Sequence, residues 1–301
     1  MQALILAGGQ GTRLRPLTNL YPKPLLYLPG GRLIDYLLAQ LRKTGIHDIG
    51  IVVHYGADQV LDYIAAEYGP DAVTPIFQEP PYTLVGALAS ARRWVHSPTL
   101  VLHGDNYFSF PLRRFVQLAV PEVATFLADA PPNWGQQPNA IATGAYILPP
   151  YAFRVAGEVA EADDLADLVA ELRRRAFPTF SLPAPGWRCN INHPADLLEA
   201  NRYLLDRWPN VEHPPAWANL GYNPFTFSWV APDARVEESD IGFHVTVGRG
   251  ATVRGCRLQN SLVFPGVELE GVEGENLILV DTPDELITVY VSDAPVAETR
   301  G

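Results

Sequence analysis

The sequence predicts an α/β fold followed by a short parallel β-helix, and two observations carry this prediction. Across the first 102 residues, short apolar runs typical of buried strands alternate with stretches whose apolar residues recur at helical spacing. From Val230 onward, valine or isoleucine recurs about every six residues with glycines between them. The alternation favours a parallel sheet covered by helices. The six-residue period is typical of the rungs of a parallel β-helix.

The elements follow in order along the chain. Apolar runs predict strands at 3–7, 49–53, 73–77, 99–102 and 123–127. Helical spacing predicts helices at 33–41, 57–68 and 84–95, and further helices begin near Glu161 and after Pro194. In a parallel sheet of this kind, ligands bind at the carboxyl ends of the strands. Functional residues are therefore expected in the loops that follow those strands.

The chain divides into three predicted segments: a domain at 1–210, a linker at 211–229 and the β-helix at 230–301. The linker is rich in proline and aromatic residues. The β-helix would have two or three turns, too few for a hexapeptide acyltransferase. An antiparallel meander with glycine turns is the alternative for this last segment.

Composition limits the possible functions. The chain has 301 residues, is 48% hydrophobic and carries a net charge of −11. Residues 1–120 carry +2 and the remainder −13, so phosphates are expected to bind in the first part. An acidic chain is a poor candidate for non-specific nucleic-acid binding. The two cysteines match no metal-site spacing and no segment predicts a membrane span, so a cytoplasmic protein is expected.

The first predicted strand runs into a glycine loop that contains Gly8, Gly9 and Gly11. Glycines let backbone N–H groups face a ligand, and Arg13 follows with a permanent positive charge. The loop is therefore expected to hold a polyphosphate. It is not a dinucleotide fingerprint, because position 14 is Leu14 rather than glycine, and no Walker-A sequence follows. A plain strand-to-helix turn is the structural alternative.

The run Leu-Ala-Gly-Gly-Gln-Gly-Thr-Arg-Leu-Arg-Pro-Leu-Thr at 6–18, with Pro-Lys-Pro-Leu at 22–25, closely resembles the signature of sugar-1-phosphate nucleotidyltransferases. The resemblance implies that a sugar 1-phosphate attacks the α-phosphate of a nucleoside triphosphate, which gives an NDP-sugar and pyrophosphate. It also implies a Rossmann-like domain with a mixed, mainly parallel sheet. Several such enzymes resemble this layout, with a short left-handed β-helix that serves oligomer contacts.

The resemblance implies roles for individual residues of the nucleotide site. Arg13 would hold the departing pyrophosphate and Lys23 would contact the reacting phosphates. Lys23 has independent support, because the chain uses 20 arginines and only two lysines. A lysine between two prolines indicates a need for a compact point charge. The residues expected to bind the nucleotide are Leu6, Ala7, Gly8, Gly9, Gly11, Thr12, Arg13 and Gln78.

Further residues are expected at the strand ends. Gln78 can meet the nucleobase because its amide both donates and accepts hydrogen bonds. Asp105 directly follows the fourth strand and is expected to bind Mg²⁺ with Asn190, although an Asx turn would also explain Asp105. The resemblance assigns Gly144 and Asp164 to the sugar. An acidic residue on a solvated helix start is an equally good explanation for Asp164.

The chain departs from the family pattern in three places. A Glu-Lys-Pro segment whose lysine grips the sugar phosphate is absent from 121–150, and no lysine follows Lys43. Thr83-Leu84-Val85 stand where the family has Gly-Thr-Ala, and Asn190 stands where it has aspartate. A nucleotide-binding or NDP-sugar-binding regulatory subunit is therefore the alternative function. The residues leave open whether dTTP, GTP or UTP is used, which sugar is bound, and the oligomeric state.

Overall fold

The computed structural model describes residues 1–128, 142–210, 220–282 and 285–292. The segment at 129–138, where the family's lysine hairpin is missing, lies outside the described residues. In chain order the helices are α1 Leu17–Leu20, α2 Leu33–Thr44, α3 Ala57–Tyr68, α4 Leu84–Ser90, α5 Leu112–Leu118, α6 Pro150–Glu158, α7 Leu165–Arg174 and α8 Pro194–Asp206. Short 3-10 helices lie at Thr12–Leu14, Lys23–Leu25, Ala91–Arg93 and Trp208–Asn210.

The strands fall into an early and a late group. The early strands are β1 Gln2–Leu6, β2 Tyr27–Leu28, β3 Gly31–Arg32, β4 Ile49–Val53, β5 Thr74–Phe77, β6 Thr99–His103, β7 Asn106–Phe108, β8 Ala124–Ala128, β9 Ala142–Leu148, β10 Thr179–Pro183 and β11 Arg188–Asn190. The late strands are β12 Tyr222–Asn223, β13 Ser228–Val230, β14 Arg235–Glu237, β15 Asp240–Ile241, β16 Thr246–Val247, β17 Thr252–Arg254, β18 Arg257–Gln259, β19 Leu262–Val263, β20 Glu268–Glu270, β21 Glu273–Glu275, β22 Leu277–Asp281 and β23 Leu286–Tyr290.

The chain forms two compact units. The first unit consists of Met1–Gly11, Tyr21–Leu25 and Tyr36–Asn190. The second unit consists of Thr12–Leu20, Leu26–Asp35 and Ile191–Gly301. Two short segments from the start of the chain therefore group with its carboxyl-terminal part. The continuous domain boundaries at 210 and 230 stay a prediction.

The first unit is built on a seven-stranded sheet in the order β10-β8-β9-β6-β1-β4-β5. Strand β9 pairs antiparallel with β6 and β8, and the remaining neighbours in this sheet pair in parallel. The prediction of a mixed, mainly parallel sheet is confirmed. The central strands are apolar and buried, as both faces of a covered parallel sheet require.

The order of the strands reverses at β1. The chain goes from β1 to β4 and β5 on one side, and then returns to pair β6 with the other side of β1. Leu6 and His103 are register partners at the carboxyl ends of these two strands. The Gly104 N–H donates to the Leu6 carbonyl at 2.8 Å. The two loops after β1 and β6 therefore start side by side, at the position where such sheets bind ligands.

The first unit's core lies between the sheet and helices α4, α6 and α7. Leu4, Val101 and Tyr146 contribute from the strands, while Leu88 and Phe153 contribute from the helices. All five side chains are buried. Burial of this much apolar surface fixes the strand ends that carry polar residues.

The helices of the first unit agree closely with the periodicity of the sequence. The bounds of α3 are those predicted, but the helix predicted at 84–95 ends at Ser90 and tightens into a 3-10 turn. The Thr83 hydroxyl caps α4 by accepting from the Gly86 N–H at 2.8 Å. A side-chain cap thus sets where this helix begins, directly after the loop at 78–83.

The second unit contains a three-faced parallel β-helix. Its faces are β13-β16-β19-β22, β14-β17-β20 and β15-β18-β21, with parallel neighbours in each face. The β-helix is confirmed, and the antiparallel meander is excluded for these strands. Equivalent residues on successive turns are 16 or 17 positions apart, as in the series Trp229, Thr246, Leu262 and Ile278. One turn is therefore slightly shorter than three strict six-residue repeats.

The β-helix extends beyond the predicted period at both ends. β12 and β13 fall within the predicted linker, of which 211–219 lies outside the described residues. β12 and β23 pair antiparallel with β13 and β22 at the two edges of the longest face. The regular valines predict the middle rungs, but antiparallel edge strands have no six-residue signal.

Aromatic side chains fill the interior of the second unit. The Trp229 ring centroid lies 6.4 Å from that of Tyr27, which in turn lies 6.1 Å from the ring centroid of Phe264. Trp229, Tyr27 and Phe264 are all buried. The hairpin of β2 and β3 supplies Tyr27, so this early segment is part of the second unit's core.

We predict that Trp229→Ala destabilises the second unit by about 3–5 kcal/mol, because it removes a buried indole and leaves a cavity. Phe225→Ala is the matched control, since Phe225 is 85% exposed. We expect the control to change the free energy of unfolding by less than about 0.5 kcal/mol. Urea denaturation followed by circular dichroism measures both, and equal losses for the two variants would contradict the described core.

Candidate active site

A crevice of about 340 Å³ opens in the first unit at the carboxyl ends of β1 and β6. Its size is within the range typical of small-molecule sites. The residues that line it are Leu6, Ala7, Gly8, Gly9, Gln10, Lys23, Pro24, His54, Gln78, Tyr82, Thr83, Leu84, Ala87, His103, Gly104 and Asp105. Most of them come from the ends of β1 and β6 and from the loops after β1, β4, β5 and β6, which the sheet places along one edge. The 3-10 turn at Lys23–Leu25 and the start of α4 supply the rest.

The glycine loop closes one wall of the crevice at Gly8. A Cβ atom at Gly8 would lie 2.8 Å from Gln78 Oε1 and 3.2 Å from His54 Cβ. Gly8 is therefore required for room, whereas Gly11 takes a positive φ of 63°. The sequence predicts special backbone geometry for the loop as a whole, and the structure separates these two reasons for glycine.

Lys23 and Asp105 form an ion pair on the floor of the crevice. Lys23 Nζ lies 3.0 Å from Asp105 Oδ2, and the side chains are 13% and 23% exposed. Lys23 sits in a 3-10 turn bounded by prolines, which restrict the backbone and fix where its charge points. The pair brings together the two residues that sequence analysis assigns to the phosphates and to the metal.

The second oxygen of Asp105 is also engaged. Asn106 Nδ2 donates to Asp105 Oδ1 at 2.9 Å, and Asn106 Oδ1 accepts from Arg188 Nη1 at 3.4 Å. Asn106 and Asn190 are register partners in the antiparallel pair of β7 and β11. This small sheet carries Arg188 and Asn190 alongside the loop that holds Asp105.

The side chains of Asp105 and Asn190 are of a type that a divalent metal ion can take as ligands. Asp105 carries a carboxylate and Asn190 an amide oxygen, both hard donors of the kind that Mg²⁺ prefers. In the described ranges no group of three or more His, Cys, Asp or Glu residues is placed to hold a metal. Mg²⁺ commonly takes only one or two protein carboxylates and completes its shell with phosphates and water.

His103 forms a polar contact at the base of the crevice. Its Nε2 atom lies 3.1 Å from the hydroxyl of Tyr146. Burial lowers the pKa of His103, and the nearby charges of Arg188 and Lys23 act in the same direction while Asp105 opposes them. The ring is therefore neutral at pH 7, which suits a hydrogen-bonding role beside Tyr146.

Gln78 is held in one orientation by the loop that follows it. Its Nε2 atom donates to the Thr83 carbonyl at 2.9 Å. The oxygen Oε1 is then the atom that faces Gly8. Beside it, the rings of His54 and Tyr82 stack with centroids 4.0 Å apart and planes 13° apart. The crevice thus has an amide acceptor next to an aromatic surface.

The structure gathers part of the predicted site. The crevice is lined by Leu6, Ala7, Gly8, Gly9, Lys23, Gln78 and Asp105. Thr12 and Arg13 belong to the second unit, where Arg13 Nη2 donates to Asn192 Oδ1 at 3.1 Å. Gly11, Gly144, Asp164 and Asn190 do not line the crevice. The roles assigned to all these residues stay predictions.

Two of the predicted sugar residues have structural contacts of their own. Gly144 takes a φ of 78°, and a Cβ there would lie 2.6 Å from Asn106 Nδ2. Asp164 caps α7, because its Oδ1 atom accepts from the Ala166 N–H at 2.9 Å. The helix start given as the alternative for Asp164 is therefore present, with Asp164 as its N-cap.

Four residues of this region were not expected from the sequence: His54, Tyr82, Asn106 and Arg188. Tyr82 directly precedes Thr83-Leu84-Val85, which stand where the family has Gly-Thr-Ala, so that departure marked this loop as unusual without identifying Tyr82. Asn106 and Arg188 meet only through the pairing of β7 with β11, which joins residues 82 positions apart. A single sequence carries little information on such a pairing.

Comparison with known proteins supports the resemblance. Residues 2–134 match the family model described as nucleotidyl transferase. The Bifunctional protein GlmU of Methanococcus vannielii is 25% identical over 68% of this chain, and the match spans 55% of that relative's length. Mannose-1-phosphate guanylyltransferase 1 of Arabidopsis thaliana is 25% identical to this chain. The match covers 90% of this chain and 83% of that relative's length.

A solved structure shows the same fold. It is described as a putative glucose-1-phosphate thymidylyltransferase from Bacillus anthracis in complex with a sucrose. The match has a TM-score of 0.53 at 22% identity and covers 67% of this chain and 94% of that one. The resemblance read from the glycine loop is therefore confirmed, together with the fold. Nucleotidyl transferases of this kind generally use a divalent metal ion.

We predict that Gly144→Ala destabilises the first unit more than Gly45→Ala does. Both glycines have a positive φ, 78° and 81°, so each substitution adds backbone strain of about 1–2 kcal/mol. A Cβ at Gly45 meets no atom within 4 Å, whereas one at Gly144 meets buried Asn106 at 2.6 Å. The clash adds about 1–3 kcal/mol. Chemical denaturation of both variants measures the difference, and equal losses would contradict the packing of Gly144 on Asn106.

Proposed function

We propose that this chain transfers a nucleotidyl group from a nucleoside triphosphate to a sugar 1-phosphate, with release of pyrophosphate. The observation that carries the proposal is the crevice at the strand reversal, where the glycine loop, Lys23 and Asp105 come together. Relatives named for this chemistry, such as the mannose-1-phosphate guanylyltransferase, support it. The regulatory alternative has no observation in its favour beyond the sequence departures.

The glycine loop would bind the triphosphate. Gly8 and Gly9 line the crevice without side chains, so phosphate oxygens can approach the backbone N–H groups closely. Arg13 would hold the departing pyrophosphate. In this structure its guanidinium donates to Asn192, and the hydrogen bond is exposed and therefore easily exchanged for a phosphate.

Lys23 would supply the charge where the reaction needs it. Its pairing with Asp105 holds the ammonium group in the crevice before substrate arrives. A bound Mg²⁺ at Asp105 and Asn190 would neutralise phosphate charge and orient the α-phosphate. Lys23 would then donate to the phosphates instead of to Asp105. Phosphoryl transfer needs mainly such positioning and charge neutralisation, and the acceptor phosphate is already ionised at pH 7, so no strong general base is required.

Gln78 would select the nucleobase. Because its Nε2 atom is engaged by Thr83, the atom left for a base is the acceptor Oε1. Uracil, thymine and guanine each carry a ring N–H that can donate to it. Adenine and cytosine present acceptors at the corresponding ring nitrogen, which an amide oxygen repels. The geometry therefore favours UTP, dTTP and GTP as a class.

The sugar side, the assembly and the location are part of the same proposal. Gly144 and Asp164 would contact the sugar, and Asp164 keeps its second carboxylate oxygen for a hydroxyl group while Oδ1 caps α7. The β-helix would provide the contacts of a homo-oligomer. A cytoplasmic location is supported by Cys189 and Cys256, which are buried and are not joined in a disulfide. In the described ranges no helix has the length and apolar character to cross a membrane.

We predict that Lys23→Met lowers the rate of pyrophosphate release by about 10²–10³-fold, because it removes a charge aimed at the transferring phosphate. The matched control is Lys43→Met, which changes the chain's other lysine, an exposed residue in the last turn of α2. We expect the control to keep the wild-type rate. A coupled pyrophosphate assay at saturating Mg²⁺ measures both, and a Lys23→Met enzyme as fast as the control would contradict the role.

We predict that wild-type protein releases pyrophosphate faster with UTP, dTTP or GTP than with ATP or CTP, for glucose 1-phosphate or mannose 1-phosphate as acceptor. Gln78→Leu should narrow this preference, since it removes the amide acceptor, whereas Gln117→Leu on α5 should keep it. The same assay over five nucleotides tests this. A preference for ATP or CTP would contradict the orientation of Gln78, and no release with any pair would contradict the proposed function.

A further inference from the structure

The proposed reaction brings two anions together at one place. The triphosphate and the sugar 1-phosphate must approach within bonding distance, so their combined charge has to be neutralised. Among the described residues that line the crevice, Lys23 is the one with a permanent positive charge. A second cationic side chain close to Asp105, outside that lining, would suit the incoming phosphate.

Arg188 lies close to Asp105 through one intervening side chain. Its Nη1 atom donates to Asn106 Oδ1 at 3.4 Å, and Asn106 Nδ2 donates to Asp105 Oδ1 at 2.9 Å. Lys23 occupies the other carboxylate oxygen, Oδ2, at 3.0 Å. Lys23 therefore contacts one oxygen of Asp105 directly, and Arg188 is linked to the other oxygen through Asn106.

The backbone fixes Arg188 in this position. Arg188 pairs with Phe108 in the register of β11 with β7, and Asn190 pairs with Asn106 two residues further along. Residues two apart on a strand share a face, so Arg188 and Asn190 lie on the same face as Asn106. A guanidinium held on a strand loses little freedom when it binds a phosphate through two parallel N–H groups.

Arg188 also lies towards the side where the sugar is expected. Asn106, to which it donates, is packed against Gly144, whose Cβ position is 2.6 Å from Asn106 Nδ2.

We propose that Arg188 binds the phosphate of the sugar 1-phosphate. The inference rests on the proposed function and names a residue for its acceptor subsite. It also explains how a chain with lysine only at positions 23 and 43 can hold a second phosphate. The half-buried guanidinium is placed to donate to two oxygens of that phosphate while Lys23 serves the triphosphate.

The test compares Arg188→Met, Arg188→Lys and Arg113→Met. Arg113→Met is the matched control, because Arg113 is an exposed arginine on α5 of the same unit. Calorimetry measures the Kd for glucose 1-phosphate and for inorganic phosphate with Mg²⁺ present. Pyrophosphate release gives the KM for glucose 1-phosphate and for the nucleotide separately. Melting temperatures without ligand establish that each variant is folded.

We expect Arg188→Met to raise the Kd and KM for glucose 1-phosphate by about 10- to 100-fold, the effect of losing hydrogen bonds to a charged group. The KM for the nucleotide should change by less than about threefold, since Lys23 and the glycine loop are intact. Arg188→Lys keeps the positive charge but lacks the two parallel N–H groups of the guanidinium. Its Kd and KM for glucose 1-phosphate should therefore lie between those of Arg188→Met and wild type. Arg113→Met should match wild type.

Other results separate the two proposals. Weaker phosphate binding by Arg188→Met without any pyrophosphate release by wild type would support the Arg188 site and overturn the proposed function. Unchanged phosphate affinity in a folded Arg188→Met protein would overturn the Arg188 site while leaving the transfer reaction in place. A rise confined to the nucleotide KM, or a wild-type protein that binds neither phosphate probe, would also overturn the Arg188 site.

Discussion

The parallel pairing of β1 with β6 is the constraint on which the candidate site depends. It joins residues almost 100 positions apart, as in the partners Leu6 and His103. Because both strands end at the same edge, the glycine loop and the Gly104-Asp105 turn begin next to each other. The core of Leu4, Val101 and Tyr146 stabilises this pairing through buried apolar surface. The sheet therefore fixes where the loops of the candidate site meet, and the loops carry its polar residues.

The negative charge of Asp105 is balanced by neighbouring positive side chains. Its two oxygens accept from Lys23 and from Asn106, and Asn106 in turn accepts from Arg188. Asp105 is therefore paired without a ligand, directly by Lys23 and through Asn106 by Arg188. In the proposed reaction, Lys23 would exchange its ion pair with Asp105 for one with substrate phosphate.

Local patterns predicted much of this architecture. The apolar runs and helical spacing predicted α3 with its observed bounds and the strands β1, β4 and β6 to within one or two residues. The regular valines predicted the β-helix, since its interior accepts small apolar side chains at repeated positions. The pairing of β9 between β6 and β8 was not predictable in detail, because antiparallel insertion depends on long-range contacts rather than on local spacing.

The sequence predicts those crevice residues that belong to a recognisable local motif. Gly8, Lys23, Gln78 and Asp105 line one crevice as the strand-end argument requires. Two contacts join segments that are distant in sequence, so no local pattern predicts them. They are the stacking of His54 on Tyr82 and the hydrogen bond of Arg188 with Asn106. The sequence predicts a functional role for Gly8. The reason that glycine is required there, the space taken by Gln78, follows only from the fold.

The most direct test of the central claim is a crystal structure with Mg²⁺ and α,β-methylene-UTP, which cannot be cleaved at the reacting bond. The account predicts the triphosphate on the glycine loop at Gly8 and Gly9, a metal on Asp105, and Lys23 Nζ donating to phosphate rather than lying 3.0 Å from Asp105 Oδ2. A nucleotide bound elsewhere, with the ion pair of Lys23 and Asp105 unchanged, would contradict it.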